Sequence, residues 1–275
     1  MVDDLKAEGY VNTDAVEAAL RQVPRHLFIP WRNPEDAYHG TEGAIVDPDT
    51  TPKTCSTVSQ PIAVAVMLEA FDIQPGMRIL EIGAGSGYNA ALLACLAGEH
   101  GRVVSVDVED FLVEKARKQL ANAGFGRVEV VCGDGALGYP PGAPYERIVA
   151  TVGLPDIPAA WPEQLAPDGK IVVPLPLHVG GEPQDHVLVS LGAQNGYLEG
   201  VGLGSLQMVL FRGEAAGHGE PHTKITEERR GTDWRGARTD ELKLKIYPAN
   251  ADVTLQPQEK HLRRRGSLTV LERVK

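Results

Sequence analysis

Three glycines in a short turn are the residues whose spacing most clearly points to chemistry. Gly83, Gly85 and Gly87 alternate with other residues. An apolar segment that ends at Ile82 precedes them, and a second apolar segment at 89–97 follows. Glycine allows positive φ and lets a ligand lie against a backbone without Cβ atoms, so the turn predicts a nucleotide-cofactor site. A dinucleotide loop has the spacing G-x-G-x-x-G, whereas this turn, counted from Glu81, has the spacing E-x-G-x-G-x-G. We therefore expect Glu81, the three glycines and Ala84 to bind a different nucleotide ligand.

Two aspartates follow the next two predicted strands. Asp107 lies 20 residues beyond the last loop glycine, with Val108 beside it, where a carboxylate would accept hydrogen bonds from both ribose hydroxyls. Asp134 lies between Gly133 and Gly135, where it would accept from an adenine amino group while the glycines admit the ring. Glycine and aspartate are also common in ordinary turns, which is the alternative. The loop spacing and the two acids together predict a site for S-adenosyl-L-methionine.

Strands and helices alternate regularly around these residues. The predicted strands span 78–82, 103–106, 128–132, 147–151 and 170–174, and the predicted helices span 89–97, 110–123 and 159–165. This order predicts an α/β fold with a doubly wound, mostly parallel, Rossmann-like sheet of the seven-stranded methyltransferase type. Segments 186–191 and 197–201 flank Asn195-Gly196 as a hairpin, and 206–211 supplies one more strand, so an antiparallel edge is expected. Ligands of such sheets bind beyond the carboxyl ends of the strands.

The region before the sheet is less regular. The sequence predicts a short amphipathic helix over 13–22 and an extended segment over 23–30. Residues 31–57 are rich in Pro, Asp, Gly and Thr, which predicts a functional loop or lid. A second helix is expected over 60–71, with Pro61 in its first turn.

Composition limits the classes of protein to consider. The chain has 275 residues, 43% of them hydrophobic, which suits one large domain with an appendage. Residues 1–213 carry a net charge of −13 and residues 214–275 carry +3, and the acidic main part argues against a nucleic-acid partner. We expect a methyltransferase domain over 1–213. Residues 214–275 would form a small C-terminal extension that recognises or docks the substrate.

Neither a membrane segment nor a metal site is indicated. No apolar run approaches the roughly 20 residues that span a bilayer, and the acidic start of the chain differs from a signal peptide, so we expect a cytoplasmic protein without a membrane partner. Cys55, Cys95 and Cys132 form no C-x-x-C pair, so neither a disulfide framework nor a zinc site is expected. The histidines, among them His26 and His186, are interpreted as surface or loop residues, because none pairs with a serine or acid at informative spacing.

Six short segments form a recognisable set. They are VPRHLFIP at 23–30, the pair Ala37-Tyr38, TVSQP at 57–61, LEIGAGSGY at 80–88, GDG at 133–135 and ATVGLPDIP at 150–158. Together they resemble the protein-L-isoaspartate (D-aspartate) O-methyltransferase family over roughly residues 13–213. The serine-containing segment before the glycine loop separates this family from other methyltransferases.

The resemblance implies an enzyme that transfers a methyl group from S-adenosyl-L-methionine to an aspartyl-type carboxylate of a peptide or protein. The ester then closes to a succinimide, also called an aspartimide. The resemblance makes Ser59 the catalytic residue, beside the reactive methyl group. An N-cap of the following helix is an alternative role of this serine, and the two roles are compatible. No strong base and no metal are required, because a carboxylate is ionised near neutral pH. The implied peptide groove is lined by Ser56, Thr57, Val58, Val152 and Leu154.

Two features depart from the family pattern. Residues 44–56 stand where repair enzymes of the family have a G-H-G or G-Y-G loop, and the chain continues for about 60 residues beyond the sheet. Both features favour a branch that esterifies one aspartate in a cognate ribosomally synthesised peptide, as in graspetide, lanthipeptide or lasso peptide tailoring. General repair of isoaspartate in proteins is the alternative. A tRNA-base methyltransferase and a non-catalytic binding module are more distant alternatives.

Overall fold

The structure is a computed structural model that describes residues 1–39, 44–45, 56–175, 186–194, 197–206, 242–248, 260–263 and 267–273. Two short strands, β1 (Ala44–Ile45) and β2 (Thr57–Val58), form an antiparallel pair. The main sheet contains β3 (Arg78–Ile82), β4 (Arg102–Asp107), β5 (Glu129–Cys132), β6 (Tyr145–Ala150), β7 (Leu165–Leu175), β8 (His186–Gln194), β9 (Tyr197–Leu206), β10 (Leu242–Pro248), β11 (Lys260–Arg263) and β12 (Ser267–Arg273).

The strand order of the main sheet is β11-β12-β10-β9-β8-β7-β6-β3-β4-β5. Strands β7, β6, β3, β4 and β5 are parallel, whereas β8 and the strands beyond it join antiparallel to their neighbours. The predicted parallel sheet with an antiparallel edge is therefore confirmed. Consecutive parallel strands place their carboxyl ends at one edge, which is where the predicted ligand site lies.

The α-helices of the described residues are α1 (Val2–Ala7), α2 (Asp14–Gln22), α3 (Asp36–His39), α4 (Pro61–Phe71), α5 (Tyr88–Ala97) and α6 (Asp110–Asn122). The predicted helices at 13–22, 60–71, 89–97 and 110–123 are confirmed within one residue at each end. Thr13 caps α2, because its hydroxyl oxygen accepts a hydrogen bond from Val16 N at 3.3 Å. Pro61 begins α4, where a missing N–H leaves no helical bond unmade.

The sheet separates two hydrophobic cores. Along β3, Ile79 packs with the α-helices on one face, while Leu80 packs on the opposite face. In β4 the same alternation divides Val103 from Val104. Short 3-10 helices at 135–137, 140–142 and 162–164 connect the strands on the second side, where Trp161 is fully buried. Burial on both faces explains why these strands read as nearly continuous apolar runs.

Two expectations about secondary structure are wrong. Residues 23–30 are not fully extended, because a 3-10 helix spans Arg25–Phe28. The predicted helix at 159–165 contains only a 3-10 turn at Pro162–Gln164. Four prolines between positions 155 and 167 explain the second difference, since each removes a helical N–H and disfavours helix in the residue before it.

The C-terminal strands continue the main sheet. Strands β10 and β12 pair with each other, from Leu242↔Arg273 to Pro248↔Ser267. However, β10 also pairs with β9, with Lys243 opposite Val201, so the extension adds strands to the same sheet. The hairpin turn at 195–196, the strand expected beyond Leu206 and most of the predicted lid lie outside the described residues.

No helix in the described ranges is long and apolar enough to cross a membrane. Within those same ranges, no group of three or more His, Cys, Asp or Glu side chains could hold a metal ion.

Candidate active site

Four neighbouring parallel strands end at one edge of the sheet and are hydrogen-bonded to each other there. After β3, Gly83 N donates to Val106 O of β4 at 2.8 Å. After β5, Gly133 N donates to Asp107 O at 2.9 Å, and after β6, Thr151 N donates to the last residue of β3 at 3.0 Å. The glycine loop and both predicted aspartate turns are therefore brought to one edge, as the sequence predicted.

All three loop glycines adopt the conformation for which glycine is needed. Their φ angles are +101° at Gly83, +51° at Gly85 and +83° at Gly87. A Cβ atom at Gly83 would also lie 2.7 Å from Thr151 Oγ1 and 3.0 Å from Val152 Cγ1. The loop thus depends on glycine both for its backbone conformation and for its close approach to the segment after β6.

Asp107 ties the glycine loop to the end of β4. Its Oδ2 accepts a hydrogen bond from Gly85 N at 3.0 Å, and its Oδ1 accepts one from Glu109 N at 3.2 Å. Burial raises the pKa of this carboxyl, an effect that the backbone donors partly offset. Val108, which follows, is 41% exposed and presents an apolar surface beside the carboxylate. This arrangement suits an acid that binds ribose hydroxyls.

Asp134 has the turn role that the sequence raised as an alternative. Its Oδ1 accepts a hydrogen bond from Ala136 N at 2.9 Å and caps the 3-10 helix at 135–137. The carbonyl of Gly135 accepts a hydrogen bond from Trp161 Nε1 at 2.8 Å, which anchors the turn to the second core. The side chain of Leu137 is 59% exposed. The expected contact between Asp134 and adenine is a proposal that is compatible with this cap.

Glu81 lies beneath the loop and has no exposed surface. Its carboxylate accepts hydrogen bonds from Asn89 Nδ2 at 2.8 Å and from Ser105 Oγ at 2.5 Å. Burial raises its pKa to about 7, and these two donors oppose that effect. Direct contact with a ligand would require an accessible carboxylate, so we assign Glu81 to the support of the loop. Ala84 is also buried, with 5% of its surface exposed.

The serine segment lies against the glycine loop. A Cβ atom at Gly85 would lie 3.5 Å from Ser56 Oγ, so this hydroxyl is next to the loop. Ser59 is half-buried, and its carbonyl accepts a hydrogen bond from Arg25 Nη2 at 2.8 Å. Gln60 is the N-cap of α4, so the alternative role of Ser59 as that cap is wrong.

The predicted groove residues divide into core and surface positions. Val58 is 4% exposed and Leu154 is 0% exposed, so both pack in the cores and do not line an open groove. The segment of Leu154 is held against β7, because Leu154 N donates to Pro174 O at 3.1 Å, and a sequence motif does not reveal such a contact. Val152 is half-buried against Gly83. The side chain of Thr57 lies outside the described part of the structure.

Two further residues at this edge were not predicted. Thr151 Oγ1 donates to Gly83 O at 2.8 Å and fixes the start of the loop. The imidazole of His186 packs on Gly153, where a Cβ atom would overlap the ring, so His186 is not a simple surface residue. The sequence pattern only weakly indicated a role for Thr151, which is the last residue of a predicted strand and precedes Val152. No sequence pattern indicated His186, because its contact with Gly153 joins segments that are far apart in the chain.

The site as a whole fits S-adenosyl-L-methionine. The positive-φ glycines provide a cradle that Cβ atoms would fill, and Asp107 is held at its rim. The loop spacing E-x-G-x-G-x-G departs from the G-x-G-x-x-G spacing of loops that bind a dinucleotide pyrophosphate, and it suits a nucleoside joined to an amino-acid portion.

Comparison with known proteins agrees with this geometry. The model of the family described as protein-L-isoaspartate(D-aspartate) O-methyltransferase matches residues 1–199. A protein-L-isoaspartate O-methyltransferase of Methanopyrus kandleri is 43% identical over 176 residues, which cover 64% of this chain and 75% of that protein. The corresponding protein of Methanoculleus marisnigri is 40% identical over 216 residues, covering 78% of this chain and 91% of that protein.

Solved structures show the same likeness. A protein-L-isoaspartate O-methyltransferase matches with a TM-score of 0.70 and 30% identity, and the match covers 78% of this chain and 65% of that chain. A structure described as a putative protein-L-isoaspartate O-methyltransferase of Plasmodium falciparum, in complex with S-adenosyl-L-homocysteine, matches with a TM-score of 0.63 and 18% identity. This match covers 77% of this chain and 96% of that chain and supports the fold. Since the family match extends over residues 1–199, this chain belongs to the protein-L-isoaspartate(D-aspartate) O-methyltransferase family and is a carboxyl methyltransferase that uses S-adenosyl-L-methionine.

Proposed function

We propose that this chain repairs damaged proteins by methylating the free carboxylate of L-isoaspartyl residues. The relatives described above carry this substrate in their names, and the family match includes every segment of the site. The proximity of the Ser56 hydroxyl to the glycine loop at Gly85 is the observation that carries the proposal. It joins the serine segment, which distinguishes carboxyl methylation, to the loop that holds the methyl donor.

The chain's own contribution to the reaction is positioning. When bound, the cofactor supplies an electrophilic methyl group. The substrate carboxylate is ionised near neutral pH, so no protein base is needed. Ser59 donates a hydrogen bond to one carboxylate oxygen and directs the other toward the methyl group. The buried side chains of Val58 and Leu154 support this edge and help to keep water from the acceptor.

The roles of the remaining residues follow from where they lie. The loop residues Gly83, Ala84, Gly85 and Gly87 would hold the amino-acid portion of the cofactor through their backbone. Asp107 and Val108 would bind the ribose side, and Gly133, Asp134 and Gly135 the adenine side. Ser56 and Val152 would contact the peptide, whereas Glu81 acts indirectly by holding Asn89 and Ser105.

The methyl ester prepares the substrate for repair. It provides methanol as a leaving group, and the neighbouring backbone nitrogen of the substrate displaces it to close a succinimide ring. Hydrolysis of this ring returns part of the material to ordinary aspartate. This last stage needs no side chain of the enzyme.

A second candidate is methylation of one L-aspartate in a cognate ribosomally synthesised peptide. The different loop at 44–56 and the C-terminal strands favour it, although the relatives near 40% identity favour repair. A tRNA-base substrate has no support from these relatives, and the net charge of −13 over 1–213 also opposes it.

The deciding experiment is a side-by-side assay with an isoaspartyl peptide and its matched aspartyl peptide, linear and constrained. We expect a methyl mass gain followed by loss of methanol with the isoaspartyl peptide. A matched β-linked peptide whose carboxylate is replaced by a carboxamide serves as the negative control. Methylation of the aspartyl peptide alone would support the second candidate, and no product from either would contradict both.

A further inference from the structure

Four of the six segments that mark the family meet at one buried side chain, Arg25. Its Nε donates to Ala37 O at 2.9 Å, and its Nη2 donates to Ser59 O at 2.8 Å. Its guanidinium carbon lies 4.9 Å from the centre of the Tyr88 ring, immediately after the glycine loop. With 2% of its surface exposed, Arg25 links the serine segment to the N-terminal region and to the cofactor loop.

Two arginines are buried among the described residues, Arg25 and Arg147. Of these two, Arg147 has a carboxylate beside it and Arg25 does not. Arg147 donates to the carbonyls of Phe71 and Asp72 at 2.7 and 3.0 Å, and the Asp72 carboxylate pairs with it at 3.2 Å. Among the residues that the structure describes, Arg25 instead contacts two carbonyls and an aromatic face, and its Nη1 is buried with no hydrogen-bond partner there. Burying a cation without a counter-ion is unfavourable, and burial accordingly lowers the pKa of Arg25.

A buried cation beside Ser59 would favour the binding of an anion. The acceptor that Ser59 is proposed to contact is itself an anion. A guanidinium can donate to two carbonyls through its planar fork and still keep its charge. A neutral side chain could form the same backbone hydrogen bonds, but it would offer no attraction to a carboxylate.

We propose that Arg25 is a positioning residue for the methyl acceptor: it holds Ser59 beside the cofactor loop and supplies the positive charge that favours a carboxylate there. This inference rests on the proposed function, since the acceptor is taken to be an ionised carboxylate. Arg25 acts through the Ser59 backbone and through its electrostatic field, and not by direct contact with the reacting atoms.

The first test measures the anchor without any substrate. Arg25→Gln and Arg147→Gln are compared by hydrogen exchange of the backbone amides of residues 57–60. Both changes remove a buried arginine that anchors α4. Arg25 binds the carbonyl of Ser59, just before the helix, and Arg147 binds the carbonyl of Phe71, at its end. We expect faster exchange at 57–60 only in the Arg25→Gln protein. Exchange at 57–60 that matches the wild type would overturn the anchoring role.

The second test measures the charge. Binding of the isoaspartyl peptide is compared with that of its carboxamide analogue, with S-adenosyl-L-homocysteine present. In the Arg25→Gln protein we expect the preference for the carboxylate to fall by about tenfold, because a nearby buried charge is lost. Arg25→Lys should keep the preference while exchange at 57–60 rises, because an ammonium lacks the planar fork. Arg147→Gln should lower stability and leave the preference unchanged.

The outcomes separate this inference from the proposed function. A wild-type enzyme that methylates the isoaspartyl peptide supports the function, and an unchanged preference in the Arg25→Gln protein would then refute the charge role alone. If the wild type methylates only an aspartyl peptide, the same comparison is made with that peptide and its asparaginyl analogue. If it methylates neither, the proposed function fails and the charge role fails with it, while the exchange experiment still decides the anchor.

Discussion

Ser59 contributes a single hydroxyl to the site, and we propose that this hydroxyl performs most of the chemistry that the chain must supply. The residue is half-buried, its carbonyl is bound by Arg25, and Gln60 takes the N-cap position of α4. Its hydroxyl is therefore not required to begin the helix. Loss of the hydroxyl should accordingly affect turnover more than folding.

We expect Ser59→Ala to reduce kcat by about 10- to 150-fold, corresponding to about 1.5–3 kcal/mol for a hydrogen bond to a charged group. Steady-state kinetics with an isoaspartyl peptide measures this effect. Calorimetry should show unchanged affinity for S-adenosyl-L-methionine. Ser56→Ala provides the comparison, since a peptide-contacting role predicts a higher KM with little change in kcat. An unchanged kcat in the Ser59→Ala protein would remove Ser59 from the reaction.

Gly83 permits a separate prediction about the cofactor cradle. Gly83→Ala places an L-residue at a φ of +101° and a Cβ atom 2.7 Å from Thr151 Oγ1. We expect destabilisation by about 1–2 kcal/mol from the backbone alone and a loss of cofactor affinity of about tenfold or more, equivalent to at least 1.4 kcal/mol. Urea unfolding and calorimetry measure the two effects.

Gly76→Ala is the matched control for this change. Gly76 has a φ of +89°, and a Cβ atom there would meet nothing within 4 Å. It should therefore share the backbone destabilisation and retain cofactor affinity. Equal affinity losses in both variants would show that the effect is general and does not come from the cradle.

At the scale of elements, Glu81 joins three of them beneath the site. It lies at the fourth position of β3 and accepts hydrogen bonds from Asn89 in α5 and Ser105 in β4. This link sets the start of α5 relative to the two strands that present the loop and Asp107. Its burial also makes the stability of the fold depend on pH, because burial raises the folded-state pKa of Glu81 to about 7 from an ordinary value of 4.5.

The sign of this dependence follows from proton binding. Between pH 4.5 and about 7 the folded state retains a proton that the unfolded chain has released, so stability from this group falls as the pH rises through that window. The change amounts to about 3 kcal/mol. Glu81→Gln should remove this pH-dependent change in stability, while the amide oxygen still accepts a hydrogen bond from Asn89 or Ser105.

Denaturant unfolding at pH 5 and pH 8 tests this expectation. The stability of the Glu81→Gln protein relative to the wild type should be higher at pH 8 than at pH 5. Glu99→Gln, at an exposed position, should leave the pH dependence of the wild type unchanged. The same stability difference at both pH values would contradict the assignment of a raised pKa to Glu81.

At the scale of the whole molecule, the C-terminal strands belong to the main sheet. Strand β10 lies between β9 and β12, so removal of residues 214–275 would expose the backbone hydrogen-bonding edge of β9. Exposed strand edges pair with other chains and promote aggregation. We nevertheless propose 1–213 as the catalytic domain and 214–275 as an extension with a role in substrate docking, because the cofactor site lies far along the sheet from β10.

We expect a chain that ends at residue 213 to be less stable and more prone to aggregate, and to keep its cofactor affinity. Its affinity for the peptide substrate should decrease. Thermal unfolding, light scattering and calorimetry with S-adenosyl-L-methionine and with the peptide provide the four measurements. Equal losses of cofactor and peptide affinity would indicate that the extension has only a structural role.

Features that depend on local chemistry could be predicted from the amino-acid sequence. Glycine at positions 83, 85 and 87 permits positive φ whatever surrounds the loop, and all three residues adopt it. Apolar periodicity predicted the strands of the parallel sheet and the long helices, because each pattern repeats within a few residues. Since parallel strands end at a common edge, the turns that carry Asp107 and Asp134 were expected at the same edge as the loop, and the hydrogen bonds between the strand ends place them there.

Which of these residues support the fold depends on how the whole chain packs. Glu81, Val58 and Leu154 belong to motifs of the site, yet packing buries their side chains. Arg25 meets Ser59 across 34 positions of the chain, and the β9–β10 pairing joins segments more than 40 residues apart. Such contacts depend on the path of the whole chain and on the burial of charge, and no local pattern records either of them.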